Sequence, residues 1–244
     1  MTKTDLEELR VLITGGTSGL GRALVGELRR RGARVAFVAR SREAVERTSH
    51  EWPGVLGVVA DVSKKDDTHP IAIQALGVLG GLDVLVNNAS SLGPAPLVPL
   101  ADTECEDLEL ALATNVVGPF RLTKALLGSL AASAREGRRP LVVNVSSDAA
   151  VSPYQNWGAY GASKAALLHL SRIWNEELLG EGIRVLSFDP GDMDTPLHAA
   201  AVPDADRSTL KHPEHAALEL ADVIASRIHG AAREDAMAVP EAVR

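Results

Sequence analysis

Short apolar runs alternate with longer amphipathic stretches along this chain. The runs Val11–Thr14, Arg34–Ala39, Leu56–Ala60, Asp83–Asn87, Leu141–Val145 and Ile183–Phe188 are rich in Val, Ile or Leu. Runs this short and this continuous predict parallel strands buried on both faces. Between them the period changes to that of a helix. Gly21–Arg31 carries Leu24 and Leu28 on one face and Gly32 as its stop. Thr103–Ala134 reads as a long helix bent at Gly118–Pro119. Two further helices are expected at Tyr160–Leu179 and Pro213–Ile228, and Ala236–Val239 reads as a last strand. Pro196–Pro213 breaks the rhythm with Pro, Asp, Ser and His at no fixed interval, and predicts a loop or lid. Strand–helix alternation without a repeat or linker predicts one α/β domain over 1–244, a doubly wound sheet with helices on both faces.

Composition narrows the function classes. The formal net charge of -7 argues against a general nucleic-acid binder, so an anionic ligand needs a local basic site. No apolar run approaches the roughly 18 residues of a membrane span, and the N-terminal stretch is polar, so a cytoplasmic protein without a membrane partner is expected. The single cysteine, Cys105, excludes an intrachain disulfide, and its acidic neighbours argue against a reactive thiol. His212 and His215 lack the acidic or cysteine partners of a known metal pattern, and no metal is expected.

Three places carry chemistry. After the first strand, Thr14-Gly15-Gly16-Thr17-Ser18-Gly19-Leu20-Gly21 opens into a helix. Glycines let the backbone approach a pyrophosphate, and the helix N-terminus supplies free N–H groups and partial positive charge. The second strand ends on Ala39, where an NAD-selective site usually has an acid, and Arg40 and Arg42 follow. A guanidinium there suits a 2′-phosphate, which predicts NADP(H) over NAD(H), although two solvated loop charges would look the same. Finally, Ser147 closes the fifth strand, Tyr160 lies 13 residues on, and Lys164 follows at i+4 on the same helical face.

The glycine spacing with Ser147, Tyr160 and Lys164 resembles the short-chain dehydrogenase/reductase family, over about residues 8–230. The resemblance implies a Rossmann-type sheet of about seven strands and an oxidoreductase passing hydride between NADP(H) and a carbonyl or secondary alcohol. It implies catalytic roles for Ser147, Tyr160, Lys164 and Asn115, with Lys164 on the nicotinamide ribose and, together with the oxidised ring, lowering the Tyr160 pKa. Pro119 deprives the Asn115 carbonyl of its i+4 donor, so that carbonyl is expected to hold a water beside Lys164. The cofactor set it implies is Gly15, Thr17, Ser18, Gly19, Leu20, Gly21, Arg40, Arg42, Asp61, Val62, Asn88, Ala89, Tyr160, Lys164, Pro190, Gly191, Met193 and Thr195. Asp61 could equally cap the next helix. Ser90 replaces the glycine of the family's Asn-Asn-Ala-Gly segment and predicts local strain if φ is positive there.

A substrate wall is expected from Ser91–Pro96, Asp148, Tyr154–Trp157 and Met193–Ala201, with Asp148, Tyr154, Trp157 and His198 foremost. Asp148 could instead only cap a turn. The resemblance also implies a homotetramer or dimer packed through the helices near 103–134 and 160–179. A sensor or scaffold that binds NADP(H) without turnover, or an epimerase or lyase with a bound cofactor, would share the fold.

Overall fold

The computed structural model describes residues 5–230. Six parallel strands form one sheet: β1 Arg10–Thr14, β2 Arg34–Ala39, β3 Leu56–Val59, β4 Val84–Asn87, β5 Leu141–Val145 and β6 Arg184–Phe188. Their order is β3-β2-β1-β4-β5-β6. The order reverses between β1 and β4, so the crossover connections leave a crevice above the carboxyl ends of those two strands. Six strands stand among the described residues where about seven were expected, and the stretch read as a last strand, Ala236–Val239, lies outside them.

Side chains two apart share a sheet face, and β1 divides its residues accordingly. Val11 and Ile13 pack with Leu24 and Leu28 of α1 (Gly19–Arg30) and with Leu220 and Ile224 of α8 (Pro213–His229). Leu12 faces the other way, onto Ile71 and Leu79 of α3 (Thr68–Leu79) and Leu126 and Leu130 of α5 (Gly118–Arg135). Helix α2 (Arg42–Glu51) covers the β2–β3 side. Burial of both sheet faces explains why the strand segments lack the alternation of a half-exposed sheet.

The long helix predicted after the fourth strand is three pieces. Helix α4 (Cys105–Leu112) passes into one π-helical segment, Ala113–Val117, before α5 begins at Gly118. The Gly118 N–H reaches back to the Ala113 carbonyl, five residues away, so the ladder is already reset before Pro119. The expected interruption is present, and it sits on the N-terminal side of the Gly-Pro pair. Helix α6 (Gly158–Leu178) begins two residues earlier than the pattern suggested. The stretch read as a structureless lid holds a short helix, α7 (Pro196–Ala201), capped by Thr195, and a 3₁₀ turn at Arg207–Thr209. Six residues are too few for the periodicity by which helices are recognised. Among the described residues no helix is long and apolar enough to cross a membrane.

Candidate active site

The phosphate-type turn is held from behind. Gly15 and Gly16 donate their N–H groups to the Val38 carbonyl at 2.8 and 3.2 Å. Asn88 Nδ2 donates to the carbonyls of Thr14 and Gly15, and the Thr14 hydroxyl accepts the N–H groups of Asn88 and Ala89, both at 3.0 Å. Gly15 has φ +71°, and a Cβ at Gly21 would collide with the Gly15 carbonyl. Gly21 therefore closes the turn, and it does not face the cavity. The Ser18 side chain does not cap α1, which leaves first-turn N–H groups unspent beside Thr17, Ser18, Gly19 and Leu20.

A cavity of about 560 Å³ runs from this turn across the sheet edge. Its walls include Arg40, Asp61, Val62, Asn88, Ala89, Ser147, Tyr160, Lys164, Pro190, Gly191, Met193 and Thr195. Asp148, Tyr154, Trp157 and His198 line it as well. Arg42, Gly21 and Asn115 do not, and of Ser91–Pro96 only Leu92 does. Arg42 is the first residue of α2 and is exposed. Arg40 is exposed and makes no ion pair among the described residues. Asp61 lines the cavity, and its carboxylate accepts the backbone N–H and hydroxyl of Ser63 at 3.0 and 2.7 Å in the turn after β3; the cap position of the next helix, α3, is held by Asp67 instead. Unspent amides at a glycine turn, a free guanidinium and a long adjoining cleft fit a phosphorylated dinucleotide.

At the middle of the cavity Lys164 Nζ stands 5.5 Å from the centre of the Tyr160 ring, and both side chains are almost wholly buried. Lys164 donates to the Val145 carbonyl at 2.8 Å, which pins the amine to the end of β5. Burial pulls the Lys164 pKa down to about 8, against a partial rise from Asp189. Burial pushes the Tyr160 pKa up to about 12; the Ser147 and Ser90 hydroxyls draw it down, and the carboxylates of Asp189 and Asp148 add to the rise. Loss of water around the buried ring outweighs the two hydroxyl bonds, and the phenol stays protonated near neutral pH.

Ser147 accepts the Ala149 N–H at 3.2 Å and donates to Asp148 Oδ1 at 3.0 Å. The other oxygen of Asp148 accepts the Tyr154 hydroxyl at 2.6 Å. Although partial burial raises the Asp148 pKa, the bonds from Tyr154 and Ser147 outweigh it and keep the carboxyl below its usual range. Tyr154, Trp157 and Tyr160 follow one another edge to face, with ring centres 6.4 and 5.6 Å apart.

Asn115 is fully buried and every arm of its amide is used. Its oxygen accepts the Ser91 N–H at 2.8 Å and the Ser90 hydroxyl at 3.2 Å, and its nitrogen donates to the Ser91 carbonyl and the Ser163 hydroxyl, both at 2.8 Å. Ser163 in turn donates to the Tyr160 carbonyl at 2.7 Å. The side chain therefore ties the loop after β4 to the first turns of α6. Ser90 has no positive φ, so the strain expected of it does not arise. Asp189 and Asp192 also line the cavity and were passed over in the sequence. The signal for Asp189 was available, since it follows the last residue of β6 at the edge where ligands bind.

Comparison with known proteins agrees with this geometry. A family profile described as short chain dehydrogenase matches residues 10–206. The chain is 35% identical to serine 3-dehydrogenase of Rhizobium radiobacter over 189 residues, covering 76% of this chain and 72% of the relative. The 3-ketoacyl-(acyl-carrier-protein) reductase of Brucella melitensis, solved with NADH, superposes with a TM-score of 0.83 at 28% identity, over 89% of this chain and 91% of its own. A short chain dehydrogenase of Burkholderia cenocepacia, solved with NADP, gives 0.78 at 25% identity, over 90% and 91%. With sheet order, glycine turn and Ser–Tyr–Lys cluster all in register with a match over most of its length, this chain belongs to the short-chain dehydrogenase/reductase family of oxidoreductases.

Proposed function

We propose that the protein reduces a carbonyl compound to a secondary alcohol and prefers NADPH to NADH. The observation that carries this reading is the meeting of Ser147, Tyr160 and Lys164 in one cavity with the glycine turn. The nicotinamide cofactor, when bound, supplies the hydride. Tyr160, kept neutral by burial, is a proton donor for the carbonyl oxygen as it becomes alkoxide. Ser147 lies beside it to hold that oxygen. Lys164, anchored on Val145, keeps cationic character below about pH 8 and stabilises negative charge that develops on the phenol. Arg40 beside the buried, uncharged Ala39 supports the cofactor preference, because nothing there repels a 2′-phosphate. Exposed Leu110, Phe120 and Ile173 on α4, α5 and α6 are in keeping with a homo-oligomer built through these helices.

A carbonyl panel followed at the absorbance of the reduced cofactor tests the assignment. Tyr160→Phe is expected to lower kcat by at least a hundredfold while cofactor binding persists. Normal turnover of that variant overturns the reading. Arg40→Asp is expected to reverse the ratio of kcat/KM for the two cofactors, and equal efficiency in the unaltered protein removes the preference.

A further inference from the structure

The substrate half of the cavity is charged in one sense. Asp148, Asp189 and Asp192 line it, and His198 stands 4.0 Å from Asp192. The cations among the cavity residues are Arg40, at the end of β2 and so in the cofactor half, and Lys164, buried and bonded to Val145. All three carboxylates are solvent-exposed on the cavity wall, and, with one sign gathered along one cleft, they sum to a negative potential on whatever enters. Asp148 is the one built into the reacting cluster. It touches Ser147 directly, two hydroxyls hold its orientation, and no cation pairs with it among the described residues. Asp148 is exposed on the cavity wall, so a ligand entering the cleft can reach its oxygens. The Tyr154 and Trp157 rings stand on the same wall, and aromatic faces attract organic cations as carboxylates do. Tyr160, more than nine-tenths buried, borders the same space.

We propose that the substrate is a carbonyl compound bearing a protonated amine a few bonds from the carbonyl, and that Asp148 is the specificity-determining residue that binds the ammonium. The short spacing follows from the chain itself, since the residue that receives the cation is the immediate neighbour of the residue that holds the carbonyl oxygen. Binding also changes Ser147. In the ligand-free geometry its one hydroxyl proton points to Asp148. An ammonium competes for that carboxylate, and the released hydroxyl can turn its proton to the carbonyl. An anionic substrate gains neither contact and meets the field of three carboxylates. This inference rests on the carbonyl-reductase reading of the site, and a binding measurement separates the two.

The probes are 5-(dimethylamino)pentan-2-one, its uncharged carbon isostere 6-methylheptan-2-one, 5-hydroxypentan-2-one and 5-oxohexanoate. Binding is measured by calorimetry on protein loaded with oxidised NADP, which has no hydride to give. The ammonium probe is expected to bind at least tenfold tighter than the isostere or the hydroxyl probe, with the carboxylate probe weakest. Asp148→Asn is expected to erase the difference, whereas Tyr154→Phe, which frees one carboxylate oxygen and keeps the ring, retains it. In turnover with NADPH the preference is expected in kcat as well as KM, because the ammonium frees Ser147. Equal binding of ammonium probe and isostere, equal binding of ammonium and hydroxyl probes, or a preference that survives Asp148→Asn each overturns the proposal. A binding preference without turnover of any probe sinks the enzymatic reading and leaves Asp148 as an amine site. Turnover with no preference does the reverse.

Discussion

The two edges of the sheet treat their carboxylates in opposite ways. At the amino edge Asp83, just before β4, is buried and fully paired. It accepts the Arg10 N–H at 2.9 Å, both arms of the Arg10 guanidinium at 3.0 and 2.8 Å, the Ser133 hydroxyl at 2.6 Å and Arg138 at 3.3 Å. At the carboxyl edge Asp148 has two hydroxyls and Asp189 the Gly191 N–H at 2.9 Å, with no guanidinium on either among the described residues. Lys164 lies among them without a salt bridge among the described residues. One edge closes its charges on one another and ties β1 to α5. The other leaves both signs incompletely answered, which is the state of a site awaiting a ligand.

The sharpest way to break the comparison is at the amino edge. Asp83→Asn leaves the buried Arg10 without its main counter-charge, and the loss expected is about 3–5 kcal/mol of folding stability. Activity per folded molecule should hold, because the cavity is at the other edge. Urea unfolding together with kcat/KM checks both halves. The pH dependence has a definite sign. Burial raises the Asp83 pKa, but the Arg10 and Ser133 bonds outweigh it, so the folded value lies below 3.8. Its stabilisation is present above that pH and is lost as pH falls through the folded value, so the variant should show a shallower loss of stability in acid.

At the carboxyl edge the same operation should have the reverse result. Lys164 is a base whose pKa burial lowers from 10.5 to about 8, a cost of about 3 kcal/mol to the folded state at neutral pH. Lys164→Met removes that cost and loses one hydrogen bond worth about 1 kcal/mol. A net gain of about 2 kcal/mol in thermal unfolding is expected, with turnover falling at least tenfold. Because the unfolded lysine binds a proton that the folded one has shed, the unaltered protein should gain stability between about pH 8 and 10.5, and the variant should not.

The difference between the edges also explains what the sequence could disclose. Strands such as Val11–Thr14 and the Gly15–Gly21 turn are local patterns, and their places followed from period and composition. Tyr160 and Lys164 were legible because four residues of helix fix their relative direction. The bonds that matter elsewhere span the chain. Asn115 holds Ser91 and Ser163, and Asn144 links Asn87 to Ser171 across β4, β5 and α6, pairings that no local window contains. The rise in the Tyr160 pKa escapes a local window for a related reason. It depends on how much water the finished fold removes from the ring, a sum over many distant neighbours.

The smallest expected effect tests a carboxylate at the cavity edge that is paired. Asp194, beside Met193 and Thr195, receives two bonds from Arg207 at 2.8 and 3.0 Å, and its N–H donates to the Lys211 carbonyl at 2.9 Å. These contacts stitch the 3₁₀ turn at Arg207–Thr209 to the segment after β6 that lines the cavity. Arg207 is largely exposed, so the ion pair is worth about 1 kcal/mol or less, and salt screens it. Arg207→Ala should therefore leave the midpoint of unfolding within about 3 °C of the unaltered protein. Its effect should fall on substrate capture, as a rise in KM of about threefold with kcat nearly constant, and high salt should reproduce that rise in the unaltered protein. A fall in kcat at constant KM would instead place this ion pair with the reacting groups, and the distinction between paired and unpaired carboxylates at the two edges would no longer track function.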